Sequence, residues 1–372
     1  MGSARAYPRG VAAVRRRGVH SGGVIAAQLD PDREDHGVTR PSVSVRVRLQ
    51  PAQDAAEWRG LEGLPGSTFL HTWDWLSWVA PLVGHQFVPL LVESAADGVV
   101  GIAPVMLQRR GPVAAVGYLP FEYLGPVVPA PYAAATLAEL WRWCRRHLVV
   151  TAKLQAHSGG VAAADLRAAG YRTLVTPTYT VPLADRTAEQ VLTGTHLART
   201  LRRAERAGVV VRESTAEELC DVLPRVHEEA LGHHVPHIAA IARALAERPE
   251  GFRTGCRTAL LGDRPIGVCV AVGPAVAGGA GVTGGMEAIG WLGAVSREHQ
   301  QTQANSAVIW AVIEWARTVG MPGLDLLGAP DPGIAAFKAR IAAPTPGQLT
   351  AIRSVPGWAP VSSLAVARLR RR

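Results

Sequence analysis

Two lysines, Lys153 and Lys338, are the only ones in a chain of 372 residues whose other positively charged side chains are all arginine. Lys338 stands just after Phe337, behind the turn-forming run Ala329-Pro330-Asp331-Pro332-Gly333. A compact ammonium can approach a developing oxyanion or a phosphate as a point charge, whereas a guanidinium needs more room and a fixed plane. Asp325 lies in an apolar run between Leu324 and Leu326-Leu327. A carboxylate there can accept or orient an amine proton, or it can cap a neighbouring loop. Arg199, Arg202, Arg203 and Arg206 follow one helical stretch, and Arg199, Arg202 and Arg206 fall at i, i+3 and i+7 on one face. Their forks suit bidentate phosphate binding; the alternative is a solvated face tied to Glu205.

Other chemistries find less support. His227, His233, His234 and His237 cluster in sequence, but Pro236 interrupts the helix that would align them and no HExxH run occurs, so no metal is expected. Cys144, Cys220, Cys256 and Cys269 show no CxxC spacing and read as buried reduced thiols. No Ser/His/Asp or Cys/His elbow is evident, so no covalent enzyme intermediate is expected.

The elements that must position these residues form an internal repeat. Val88–Leu107 and Thr258–Val272 each read as an antiparallel hairpin, with turns at Ala96-Asp97-Gly98 and Gly262-Asp263-Arg264-Pro265. Each places a glycine early in its second strand, Gly101 and Gly267. An amphipathic helix follows each hairpin, over Ala134–His147 and Asn305–Val319; Val308, Val312 and Trp315 mark the buried face of the second, and Gly320 stops it. A short strand comes next (Ala152–Ala156, Leu324–Leu327), then a short helix (Ala162–Ala169, Ile334–Ile341). This order predicts an α/β fold with a mixed sheet flanked by helices, built twice. The expected arrangement is two superposable units, residues 45–185 and 186–360, meeting along a cleft.

Composition bounds the rest. Hydrophobic residues make up 48% of the chain, enough for two cores, and no apolar run approaches the ~20 residues of a membrane span. The stretch Val24–Ala27 is too short for a signal-peptide core, so a cytoplasmic location is expected. Much of the +9 charge sits in tails: Arg5, Arg9, Arg15, Arg16 and Arg17 in residues 1–44, and Arg368, Arg370, Arg371 and Arg372 in residues 361–372. Such tails are usually solvated and give no argument for DNA.

Three segments resemble one family. His196–Val211 (HLARTLRRAERAGVVV) is similar to the Arg-rich helix that opens the second domain of FemABX-like proteins. Gly323–Ile341 (GLDLLGAPDPGIAAFKARI) resembles their late strand, Gly-Pro loop and Phe-Lys motif, and Phe69–Val79 (FLHTWDWLSWV) their early Trp-containing helix. The similarity spans about residues 60–345. It implies two tandem GNAT-like domains and transfer of an aminoacyl or acyl group to a small-molecule or peptide amine. The donor would be an aminoacyl-tRNA, bound by its acceptor end, or an acyl-CoA.

On that resemblance Lys338 places a cation at the reacting ester or the donor's phosphates, Asp325 handles the amine proton, and Phe337 walls the pocket. Trp75 and the Arg199, Arg202, Arg206 face contact substrate. Acyl transfer needs a neutral amine, a carbonyl within attack distance and a stabilised oxyanion. The chain departs from the family at Val79, where peptidoglycan-building members carry a lysine, and it has no coiled-coil insertion near residue 215. The stretch Gln300–Ser306 lacks the glycine with which CoA-dependent GNAT enzymes cradle a pyrophosphate, and Gln108–Val113 matches that motif only loosely. The missing glycine tilts the reading modestly from CoA toward another donor. A CoA-dependent N-acetyltransferase and a non-catalytic binding member of the fold remain the alternatives.

Overall fold

The computed structural model describes residues 45–117, 122–157, 160–193, 195–232, 234, 237–275, 286–329 and 331–357. The expected leader 1–44 and tail 361–372 lie outside them.

The first half supplies β1 (Val47–Pro51), α1 (Ala55–Arg59), α2 (Trp73–Leu82), β2 (Gln86–Ser94), β3 (Gly98–Arg110), β4 (Val113–Val116), α3 (Ala133–Arg146), β5 (Val149–His157), α4 (Ala163–Ala168) and β6 (Arg172–Pro182). The second supplies α5 (Ala188–Leu192), α6 (Leu197–Arg206), β7 (Val209–Glu213), α7 (Ala216–Leu231), α8 (Ile238–Ala246), β8 (Phe252–Leu261), β9 (Arg264–Pro274), β10 (Ala288–Val295), α9 (Ala304–Thr318), β11 (Gly323–Asp325), α10 (Pro332–Lys338) and β12 (Pro344–Ser354). Hairpin, long helix, strand and short helix thus recur in both halves.

All twelve strands join one sheet, in the order β1-β2-β3-β4-β5-β12-β6-β11-β10-β9-β8-β7. The order is symmetric about β12–β6. In each half three antiparallel pairings lead to one parallel pairing, β4 with β5 and β10 with β11. The last strand of each half is then exchanged: β6 pairs with β11, β12 pairs with β5, and the two pair with each other. The sheets therefore join through a main-chain ladder, where the sequence suggested a cleft. β11 has three residues, and β6 pairs with all three of them.

Side-chain alternation separates two faces. On β9, Val268, Val270 and Val272 enter a core shared by α2, α7 and α8, while Cys269 and Ala271 enter the core under α9. On β3, Ile102 and Met106 face the shared core, and Ala103, Val105 and Leu107 face α3. The paired glycines are explained by close approach. A Cβ at Gly101 would lie 2.4 Å from the Val127 carbonyl, and one at Gly267 would lie 2.5 Å from the Val295 side chain.

The shared core also ties the halves together. Trp75 of α2 meets Trp291 of β10 edge-on at 4.7 Å, and Phe69 and Phe252 complete the cluster. Such aromatic pairs contribute ~0.5–1.5 kcal/mol each beyond burial.

Strand exchange generates a test. A fragment of residues 45–185 would leave β5 without β12 and β6 without either neighbour, two open edges prone to association. It is expected to aggregate or lack a cooperative melt in circular dichroism, while residues 45–357 fold. A monomeric 45–185 fragment with a sharp thermal transition contradicts the exchange.

Candidate active site

The parallel pair β10–β11 is short. Only Ala288 with Leu324 and Ile289 with Asp325 are in register, after which the strands part. On its other side β10 carries a bulge between Gly290 and Leu292 opposite β9. Beyond Gly290, which still lies against Leu326, the edge of β10 that faces β11 has no strand partner among the described residues up to Val295, so the strands part in a wedge bordered by residues 327–329.

Asp325 sits at the apex of the wedge, 2% exposed. Its Oδ1 accepts from Thr178 Oγ1 at 2.6 Å and from the Leu327 amide at 2.7 Å. Its Oδ2 accepts from the Tyr123 hydroxyl at 2.5 Å. Burial and the neighbouring carboxylate push the Tyr123 phenol far above its ordinary range, so it remains a donor. Both carboxylate oxygens are thus occupied, and Asp325 has little capacity to act as a free base. It fixes the turn that follows, where Leu327 adopts a left-handed φ of 65°.

That turn aims three successive carbonyls at one point, and Lys338 fills it. Its Nζ donates to the oxygens of Leu326, Leu327 (3.2 Å) and Gly328 (2.9 Å). An ammonium has three protons, and all three are used here. Burial lowers the Lys338 pKa to about 8, opposed by the charges of Asp325 and Glu122. Lys338 thus clasps the far wall of the wedge and acts beyond it as a charge.

Glu122 accepts from Gln155 at 2.7 Å and from Gln348 of the exchanged β12. Lys153, the other lysine, is lowered by burial and raised by Glu122, so both lysines feel one carboxylate. Glu287, just before β10, points toward Gly323, where an added Cβ would lie 2.7 Å from its Oε1. Burial, then repulsion from Asp325, raises the Glu287 pKa to about 7.

The structure thus brings Lys338 and Asp325 together and adds Tyr123, Thr178, Glu122 and Glu287, which sequence reasoning missed. Only Glu287 left a signal, an isolated acid in the Gly-rich apolar run Gly284–Val295. Phe337 is half-buried against the core under α9. Trp75 requires a correction as a substrate contact: it is 3% exposed and its ring is committed to Trp291, Phe69 and Phe252.

The arginine face also divides. Arg199 lines a pocket with Arg203 and Arg340, whereas Arg202 lines a separate groove between α6 and α9. Arg206 bonds the Arg202 carbonyl at 3.2 Å. His233 and Pro236 lie outside the described residues; His234 approaches Glu228 at 3.8 Å and His237 begins α8 with a φ of 74°. Among the described residues no group of three or more His, Cys, Asp or Glu is arranged to hold a metal.

The start of α9, where a pyrophosphate cradle would lie, is closed on itself. The amides of His299, Gln303, Ser306 and Ala307 bond nearby carbonyls, and that of Ala304 bonds Thr302 Oγ1.

Residues 193–339 match the family model described as an acetyltransferase (GNAT) domain. The crystal structure of FemX superposes with a TM-score of 0.60 at 14% identity, covering 85% of this chain and 99% of FemX. A tandem GNAT protein from the clavulanic acid biosynthesis pathway gives 0.49 at 15% identity over 83% of this chain and 97% of its own. L-PGS from Bacillus licheniformis gives 0.49 at 16% identity over 86% and 98%. A search of curated protein sequences returns no match. At these identities the structural likeness is one of fold, and only that to FemX is close enough to argue from. Residues 193–339 thus match an acetyltransferase (GNAT) domain, and the chain shares the fold of FemX over most of its length.

Proposed function

We propose that the protein transfers an aminoacyl group from the ester-linked 3′ end of a charged tRNA to an amine, by direct attack. The observation that carries this reading is the wedge between β10 and the Lys338-clasped turn, where a backbone edge with no strand partner among the described residues borders a half-buried cation. An ester carbonyl seated in the wedge can accept a hydrogen bond from the free edge of β10. The charge of Lys338 favours the oxyanion that develops there. The amine nitrogen bonds the carbonyl carbon, the ester C–O bond breaks, and the ribose oxygen leaves with a proton. Glu287, with its pKa near neutrality, takes the proton from the attacking ammonium. Asp325 is a positioning residue that holds the turn.

The self-bonded start of α9 favours a tRNA ester over CoA, because it has few amides left for a pyrophosphate. FemX supplies the fold analogy, and peptide amines are the acceptor class to try first.

Incubation with charged tRNA and, separately, with an acyl-CoA pool, followed by mass spectrometry of amine products, tests the donor. Product formed only from CoA would overturn the tRNA reading. Lys338→Ala is expected to lose at least ~100-fold in turnover at saturating substrate, the scale of lost electrostatic stabilisation of an oxyanion. Lys338→Arg should also lose most turnover, because a planar fork cannot serve three convergent carbonyls. Circular dichroism controls for folding; near-normal turnover in folded Lys338→Ala would remove the residue from the site.

Glu287 acts only when deprotonated. The rate is therefore expected to rise with pH through about 7 and to fall again above about 8, as Lys338 loses its proton. Glu287→Gln should lose the rising limb and most of the rate. A variant that keeps the limb would assign it to another group.

A further inference from the structure

Some of the arginines of this chain are neutralised by acids. Nine of them, from Arg48 on β1 to Arg317 on α9, form ion pairs with Asp or Glu. One pocket gathers three arginines outside these pairs. It has a volume of about 220 Å³ and is lined by His196, Arg199, Thr200, Arg203 and Arg340, with no carboxylate among them. No hydrogen bond or ion pair ties the Arg199, Arg203 or Arg340 guanidinium to a described residue.

The concentration of charge is built by the fold. Arg199 and Arg203 are one turn apart on α6, where like charges repel and weaken a helix. Arg340 comes from the end of α10, and the His196 amide bonds its carbonyl at 3.2 Å, which brings the third cation to the first turn of α6. The Thr200 hydroxyl is spent on the carbonyls of His196 and Leu197, so the pocket presents cationic forks and little else. Forks of this kind match phosphate oxygens bidentately.

The location couples the pocket to the wedge. Arg340 is two residues beyond Lys338, a chain separation of at most about 7 Å between their Cα atoms. The pocket thus takes one of its cations from the segment that carries Lys338, and it is distinct from the Arg202 groove.

We propose that His196, Arg199, Arg203 and Arg340 form a phosphate-binding subsite for the terminal nucleotide of the acyl donor. The assignment of the phosphate to a donor rests on the acyl-transfer reading; the anion site itself does not. The pocket holds phosphate groups, and the rest of the nucleotide lies outside it. A tRNA end and CoA both carry the required group.

The test measures binding of uncharged tRNA, coenzyme A and inorganic phosphate to the full chain at several salt concentrations. The comparison proteins are an Arg199→Gln/Arg203→Gln/Arg340→Gln variant and a charge-matched control, Arg46→Gln/Arg167→Gln/Arg243→Gln, at exposed positions elsewhere. The pocket variant is expected to bind the true donor at least tenfold more weakly. For a single-stranded RNA end, its salt dependence should flatten by about two in log–log slope. The control should stay within twofold of the parent. Loss confined to tRNA or to CoA identifies the source of the phosphate. Equal losses in both variants mean a diffuse field and overturn the subsite, as does unchanged binding, or absence of binding to all three probes. If the pocket variant loses phosphate binding while the parent transfers no acyl group, the subsite stands and the acyl-transfer reading falls.

Discussion

A buried carboxylate must be fully satisfied or it destabilises the fold that holds it, and Asp325 meets this demand with groups from three parts of the chain. Tyr123 comes from the loop after β4, Thr178 from the exchanged strand β6, and the Leu327 amide from its own turn. Charge-assisted bonds of this type contribute roughly 1.5–3 kcal/mol each, and an orphaned buried charge costs several. The exchange of β6 into the second half thus does more than seal a sheet edge. It delivers a donor without which the carboxylate could not be buried at the apex of the wedge. The turn, its convergent carbonyls and the Lys338 clasp all follow from that anchor.

The choice of lysine follows from the same geometry. Three carbonyls converge on one point, and a tetrahedral ammonium can serve all three, whereas a planar guanidinium would spread its donors. In a chain that otherwise uses arginine, the two lysines occupy half-buried places in the field of Glu122. The arginines occur where a fork can reach solvent or a partner, as at α6 and α10.

Local pattern carried much of this fold. The hairpins, α3, α9 and the Asp325–Lys338 segment were legible because period, turn residues and helix stops are local signals. The pairing of β12 with β5 and β6 was not, because the residues concerned lie well over a hundred positions apart and no periodicity encodes a partner. Tyr123 and Thr178 were missed for that reason: their role depends on Asp325, 202 and 147 residues away. Trp75 misled because an aromatic-rich helix reads alike whether its rings line a pocket or pack against Trp291. The arginine face misled because spacing along α6 says nothing of Arg340, which arrives from another helix.

The two halves share a topology but differ in their wedges. In the first half β4 and β5 also part after a short parallel register that ends at Val116 with Ala152. There the chain fills its own opening: the Gln155 amide bonds the Leu124 carbonyl, and Val127 bridges to Ile102 on β3. Tyr123, at the head of this plug, is fully buried. In the second half no described segment replaces β11 along β10 beyond Ile289. The plug of the first half therefore does two things at once: it closes one wedge and sends Tyr123 to hold Asp325 at the other. A duplicated fold can keep one reaction site in this way, with the closed copy serving as the rigid support of the open one.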